Sequence, residues 1–184
     1  VGIPHILNSG FKYHRLDLML TDEIAIKPIG TLHMDIGMGK VFGTLPTQLL
    51  EIFQGNETYF YNDYAFNLMN EYEFVSDMYV TVSLRHHFEG FFFNKIPGFR
   101  KLKWREVIGA KAAWGTLSDA NKEANKYNTS ITPFPIPYIE ASAGIENIFK
   151  IFRVDAVFRL THRDRPAYLQ TTNFGVRVGI AIDF

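Results

Sequence analysis

The sequence predicts an all-β fold, and within that class the C-terminal portion of a transmembrane antiparallel β-barrel. Three observations lead there. Apolar and polar residues alternate with a period of two in segment after segment, the signature of strands. No run of about 18 apolar residues exists, so a transmembrane helix is excluded while a barrel, in which every second residue meets lipid, is not. The chain closes on an alternating stretch: Phe174, Val176, Val178, Ile180, Ile182 and Phe184 share one side, and Gly175, Arg177, Gly179, Ala181 and Asp183 the other. A strand of ~9–11 residues that is apolar on one side suits a bilayer.

The elements follow in order. A weaker strand over 11–20 sets Leu16, Leu18 and Leu20 against Arg15, Asp17 and Met19. Over 29–42, Leu32, Met34, Ile36 and Met38 oppose Thr31, His33, Asp35, Gly37 and Gly39. Over 70–92, Val80, Val82 and Leu84 oppose Thr81, Ser83, Arg85, His87 and Glu89, read as one long strand reaching beyond the bilayer. Over 103–116, Ile108, Ala110, Ala112 and Trp114 oppose Gly109, Lys111, Ala113 and Gly115. Over 137–145, Ile139, Ala141 and Ala143 oppose Glu140, Ser142 and Gly144. Over 149–162, Phe152, Val154, Ala156, Phe158 and Leu160 oppose Arg153, Asp155, Val157, Arg159 and Thr161. The terminal strand covers 172–184. The one hint of a helical period is Thr47–Phe53. Residues 145–148 read as a tight turn, and 43–68, 117–136 and 163–171 as long connections.

The period alone does not separate a soluble sandwich from a barrel with inverted faces. Three features favour the barrel. The polar sides carry glycine and both charge signs, as a crowded, hydrated lumen requires. Trp104 and Trp114 share a face; at ~3.3 Å per residue and a ~40° tilt their separation is roughly 25 Å, the height of a lipid-facing band between aromatic girdles. Short and long connections alternate, as between periplasmic turns and outer loops. Glu106 falls on the apolar face, which predicts a bulge or a strand boundary there. With the C-terminus periplasmic, 43–68 is extracellular. Splitting 66–75 from 78–92 at Ser76–Asp77 gives eight strands but moves that loop to the periplasm, and is disfavoured.

Composition narrows the function. The 184 residues carry 19 basic and 19 acidic side chains, which indicates no nucleic-acid partner, and there is no cysteine. Val1 followed by no basic-then-apolar leader suggests a mature, processed or partial chain. Seven strands are an odd number for a bacterial barrel, and an open edge in lipid is forbidden. The expectation is one barrel domain over 1–184 whose remaining strands and periplasmic part lie outside this chain.

Several phrases carry a family resemblance. They are Gly39-Lys40-Val41-Phe42-Gly43 with Leu45-Pro46, Gly55-Asn56-Glu57, Phe66-Asn67-Leu68-Met69-Asn70 leading to Glu73-Phe74-Val75-Ser76-Asp77, and His87-Phe88-Glu89-Gly90-Phe91-Phe92-Phe93-Asn94-Lys95-Ile96-Pro97. Leu102-Lys103-Trp104-Arg105-Glu106 and the run from Tyr138-Ile139-Glu140 through Gly144-Ile145-Glu146-Asn147-Ile148-Phe149-Lys150 to Arg159-Leu160 complete the set. Together, over roughly 10–184, they resemble the C-terminal barrel of a Bacteroidota outer-membrane family of unknown function, whose members carry a carboxypeptidase-regulatory-like β-sandwich at the N-terminus. More distantly the layout is similar to the BamA/TamA superfamily of sixteen-stranded barrels that insert or translocate other proteins. That resemblance implies that 43–68 folds back into the lumen. The superfamily's Arg-Gly-aromatic tip is missing from this loop, where Gly55-Asn56-Glu57 is the nearest tight-turn feature.

Chemical motifs are sparse. His86 and His87 point to opposite faces of a strand and cannot chelate together; His87 is read as a lumen residue and His86 as interfacial. Gly37-Met38-Gly39-Lys40 has the wrong spacing for a phosphate loop and reads as small residues admitting a loop. Asp119, Asn121 and Glu123 could hold Ca²⁺, but a solvated outer loop is the simpler reading. No nucleophile-elbow order exists, so no enzyme, metal or cofactor is expected. Arg85, Glu89, Lys111, Glu140, Arg153, Asp155, Arg159 and Arg177 are expected to form an interior network, either holding an inward loop or lining a conduit. The expected setting is the bacterial outer membrane, with lipids and other outer-membrane or periplasmic proteins as partners. The expected role is assembly or export of such proteins at a seam bounded by Phe174–Phe184, with a structural subunit or a solute channel as alternatives.

Overall fold

Period-two segments joined mostly to their sequence neighbours build one sheet. In the computed structural model, which describes residues 12–126, 134, 136–164 and 171–180, the strands are β1 (His14–Ala25), β2 (Thr31–Phe42), β3 (Glu51–Ile52), β4 (Val75–Ser76), β5 (Met78–His87), β6 (Arg105–Thr116), β7 (Tyr138–Ile148), β8 (Phe152–Arg159) and β9 (Phe174–Ile180). Seven of them form an antiparallel sheet in the order β1-β2-β5-β6-β7-β8-β9, and β3 pairs with β4 apart from it. The described strands do not close into a barrel: β1 and β9 are the two edges.

Register carries the apolar face across the sheet. Leu18 stands opposite Met38, Met38 opposite Val80, and Val80 opposite Trp114. Ala112 stands opposite Ile139, Ala141 opposite Phe158, and Phe158 opposite Phe174. This face is the outer one. Leu18, Met38, Trp114 and Phe174 are 58%, 44%, 41% and 52% exposed, whereas Lys111, Glu140, Asp155 and Arg159 on the other face are 7%, 2%, 0% and 2% exposed. The sheet is therefore inverted relative to a soluble half-buried sheet, which turns its polar side to water. Charged residues on the apolar face of the strands (Asp22, Lys40 and Glu106) stand near strand ends.

The cover of the polar face is residues 43–77, a strap that leaves β2, folds back beneath the sheet and returns to β5. It brings its own apolar residues. Phe53, Phe66, Met69 and Phe74 pack with Tyr138 and Ala113 of the sheet. Leu45, Leu50 and Val75 pack with Val41. The hydrophobic core thus lies between strap and sheet. Gly39 makes part of the room: a Cβ there would sit 2.5 Å from the Tyr79 ring and from Asp17 Oδ1.

Several expectations are corrected. The strand expected over 70–92 is shorter: residues 70–74 belong to the strap, Val75–Ser76 pair with Glu51–Ile52, and Asp77 separates that ribbon from β5. The tight turn sits at 149–151 rather than 145–148, because β7 runs on through an irregularity between Ile145 and Ile148; Asn147, Phe149 and Lys150 take positive φ. Thr47–Phe53 holds a 3-10 turn at Thr47–Leu49 followed by β3, not an α-helix. Two short helices had no periodic signal: α1 (Pro97–Leu102), with Pro97 in its first turn and Lys103 as a left-handed cap, and α2 (Asp119–Ala124). Glu106 marks a boundary, one residue inside β6, where its carboxylate accepts the Phe93 N–H. Among the described residues no helix is long and apolar enough to cross a membrane.

Candidate functional site

The alternation of β6, β7, β8 and β9 aims charged side chains at the strap, and they bind its backbone residue by residue. Lys111 Nζ donates to the carbonyls of Asn62, Asp63 and Ala65 at 3.0, 2.9 and 2.6 Å. Glu140, its register partner on β7, accepts the Asn67 and Leu68 N–H groups at 2.8 and 3.1 Å and the Tyr138 hydroxyl at 3.0 Å. Arg177 donates to the Asn67 carbonyl at 3.2 and 2.9 Å. Arg159 donates to the Leu68 carbonyl at 3.2 Å and pairs with the Glu73 carboxylate. Cations thus meet carbonyls and the carboxylate meets amides over 62–68. Such charge-assisted bonds contribute roughly twice as much as neutral ones, and satisfying every partner is what makes these charges tolerable away from bulk water.

A second group braces the cradle. Arg153 holds Asp155 through two bonds of 2.6 and 2.8 Å and lies 4.2 Å from the Tyr61 ring centroid. Asp63 reaches up to Arg85. Burial pushes the Tyr61 phenol above its ordinary value, against the opposing hydrogen bond with Ser142. Inside the strap, Asn67 accepts the Asn62 N–H at 2.8 Å and the Asn56 amide at 2.8 Å, which fixes the loop tip. The strap's root is clamped by α2: Asn121 accepts the Leu45 N–H at 2.8 Å, and Asn125 accepts the Thr47 N–H and hydroxyl at 2.8 and 2.9 Å.

The strap also reaches the edge of the sheet. Tyr61 N–H donates to the Val178 carbonyl at 2.8 Å, and Val178 N–H donates to the Tyr59 carbonyl at 2.9 Å, forming a parallel bridge centred on Phe60 and Val178. Val178 therefore turns both backbone groups away from β8. By the alternation of an antiparallel ladder, Phe174 and Val176 turn theirs the same way. A groove of about 890 Å³ runs there between strap and β9, lined by Tyr59, Leu68, Phe174, Val176 and Arg177 among others.

Of the eight charged residues singled out in the sequence, Lys111, Glu140, Arg159 and Arg177 meet in the cradle, with Arg153 and Asp155 adjoining. Arg85 reaches the strap through the Asp63 carboxylate. Glu89 lies past β5 with φ of 53° and accepts the Thr31 hydroxyl at 2.8 Å; it lines a cavity of about 420 Å³ with Arg85, His87 and Glu146 and does not touch the strap backbone. His87 lies on the polar side, 2.9 Å from Glu146, and His86 contacts the Ile29 carbonyl on the other side at 2.8 Å. Trp114 is on the apolar face, and Trp104 precedes β6 and packs on Phe99 at 5.7 Å. Phe174, Val176, Val178 and Ile180 line the apolar side of β9; Ile182 and Phe184 lie outside the described residues. Of Asp119, Asn121 and Glu123, Asn121 is buried at the strap root, while Asp119 and Glu123 are exposed on α2, as a solvated segment requires, and pair with Lys122 and Lys126. No cluster able to hold a metal occurs among the described residues. Sequence reading missed Asn67 and Asn125 and gave Asn121 a different role; an asparagine in a long connection gives no sign of whether it faces solvent or a backbone.

Over residues 1–145 the chain matches a family described as "Family of unknown function (DUF5686) C-terminal domain", and it belongs to that family. No curated protein and no solved structure matches it.

Proposed function

We propose that this chain, a member of a family of unknown function, forms the C-terminal strands of an outer-membrane β-barrel that helps to assemble or export other outer-membrane or surface proteins. The observation that carries the membrane part is the inversion of the sheet: an apolar face exposed from edge to edge, and charges buried beneath it. The 12-residue strands β1, β2 and β6, at ~3.3 Å per residue and a ~40° tilt, rise roughly 30 Å, enough for the apolar band of a bilayer. Sheet edges are not tolerated in lipid, so β1 and β9 meet further strands, from the same protein or a partner. The strap lies where the lumen of such a barrel would be, as the distant likeness to sixteen-stranded insertases implies.

Trp114 tests the membrane reading. In the full-length protein reconstituted in vesicles, with Trp104→Phe to remove the other tryptophan of this chain, Trp114 fluorescence should be quenched by lipids brominated in the acyl chain. Quenching by aqueous iodide instead would refute it. The assembly role rests on the β9 edge, which has outward backbone groups at Phe174 and Val176 and an adjacent groove, the requirements for strand addition. Phe60→Cys with Val178→Cys would lock the strap across that edge. Loss of surface-protein delivery under oxidation, restored by reductant, is expected; full delivery with the crosslink complete would remove the seam from the mechanism and favour a structural role.

A further inference from the structure

The connection between β5 and β6 is built differently from the rest of the molecule. Residues 90–105 carry five cations and no carboxylate, and Phe91, Phe92, Phe93, Phe99 and Trp104 are interleaved with them. The aromatic side chains form two contact groups, one through Phe88 and Phe92 and one through Phe99. Phe88 meets His86 at 4.5 Å and Phe92 at 5.2 Å; Phe93 stacks on Phe99 at 4.6 Å, and Phe99 packs on Trp104. His86 and Glu106 belong to the apolar face of the sheet, and Glu106 holds the Phe93 N–H, so these groups continue that face past the strand ends. Their position is fixed from a second side, where the Asn147 side-chain amide donates to the Lys103 carbonyl at 2.6 Å. Lys95, Arg100, Lys101 and Lys103 are all exposed, as are Phe92, Ile96 and Leu102. The Lys95 ammonium lies over the Phe91 ring, 3.9 Å from its centroid, while the residue as a whole stays exposed.

We propose that residues 91–104 are an interfacial anchor that seats their aromatic and aliphatic side chains at the headgroup boundary and binds anionic phospholipid headgroups through Lys95, Arg100, Lys101 and Lys103. The inference rests on the membrane reading above and adds to it a lipid class and an end of the barrel. Two features select a lipid surface as the occupant. The patch is continuous with the apolar face, so what covers one reaches the other. Its composition, apolar and aromatic with uncompensated cations at the rim, matches interfacial segments that bind anionic bilayers.

The test uses the same two tryptophans. The full-length protein with Trp114→Phe, keeping Trp104 in this chain, is placed in phosphatidylcholine vesicles with or without phosphatidylglycerol, and phosphatidylglycerol retained after detergent extraction is measured. Trp104 should be quenched by lipids brominated near the headgroup. Phosphatidylglycerol should be enriched at least about fivefold over phosphatidylcholine, the factor one cation carries near an anionic surface. Replacing all four cations (Lys95→Gln, Arg100→Gln, Lys101→Gln, Lys103→Gln) should abolish the enrichment without altering Trp114 quenching. Trp114 quenched by deep labels with Trp104 untouched by shallow ones overturns the anchor alone. Failure of both overturns the membrane reading with it. Equal enrichment in the parent and the four-fold variant refutes the cation assignment. Shielding of Trp104 from lipid and aqueous quenchers alike, with a protein co-purifying, replaces the lipid with a protein partner.

Discussion

Glu140→Gln is the sharpest perturbation of the cradle. The carboxylate accepts two strap amides, from Asn67 and Leu68, and the Tyr138 hydroxyl. A glutamine keeps one acceptor oxygen and turns its NH₂ toward a donor, so one buried N–H loses its partner at a cost of about 1–3 kcal/mol. The change also removes a negative charge that favours the nearby Lys111 ammonium, which itself is bonded to strap carbonyls rather than to Glu140. The expected loss is therefore that of the unsatisfied amide, about 1–3 kcal/mol of local stability. At about 1.4 kcal/mol per factor of ten, exchange of the Asn67 and Leu68 amides should accelerate roughly 5- to 150-fold. Hydrogen-exchange mass spectrometry of the full-length protein measures this, with Glu123→Gln as control, since Glu123 is exposed and pairs only locally with Lys126. Acceleration below about threefold, or equal in the control, would refute the view that Glu140 holds the strap.

Three further outcomes are expected. Gly144→Ala drives a Cβ into the buried Asp155 carboxylate and should lower stability in a denaturant titration by about 1–3 kcal/mol; an unchanged midpoint would mean that the Arg153–Asp155 pair shifts freely. Asn121→Ala removes the acceptor of the Leu45 N–H and the donor to Asp77, should cost about 1–3 kcal/mol locally, and should open 43–47 to limited proteolysis at least about fivefold faster by that reasoning. Burial alone would raise the Asp77 carboxyl, but hydrogen bonds from Ser118 and Asn121 outweigh it and hold the group below its ordinary value. Its contribution is therefore complete above about pH 4 and lost as pH falls through the lower folded value; Asp77→Asn should flatten the acid limb of the unfolding-midpoint profile, and an unaltered limb would exclude Asp77 as its source.

Strand existence was legible because a period of two survives any register: the sheet strands were all anticipated from alternation, β1 least clearly, since its inward side mixes Met19 with Asp17. Their ends were not. Residues 70–77 look strand-like because Phe74 and Val75 are apolar, yet they are apolar for the strap's packing rather than for a sheet face. The short helices escaped for the same reason: six residues complete fewer than two turns, and α1 is specified by Pro97 and by Asn147, a residue far along the chain. The cradle charges could be assigned to one face by parity alone. Their partners could not, because Lys111, Glu140, Arg159 and Arg177 recognise carbonyls and amides of 62–68, and backbone groups are the same in every sequence. What parity could not supply was the identity of the loop beneath the sheet.

Strap and edge act as one unit. Tyr61 donates its N–H to Val178, and the next residue, Asn62, gives its carbonyl to Lys111. No slack separates the bond at the edge of β9 from the first bond of the cradle. The Tyr61 ring, held against Arg153, ties the same residue to the sheet a second time. Any strand added along Phe174–Ile180 must therefore displace Tyr59–Tyr61 from Val178, and the resistance it meets is set by charges on β6, β7 and β9 rather than by the two backbone bonds alone. On the proposed reading, Glu140→Gln should loosen the edge as well as the loop tip, although Glu140 touches neither Val178 nor residues 59–61. Exchange at the Tyr61 amide would report that directly: acceleration together with Asn67 and Leu68 marks a single unit, whereas Tyr61 retaining its protection would show that the edge is held independently of the cradle.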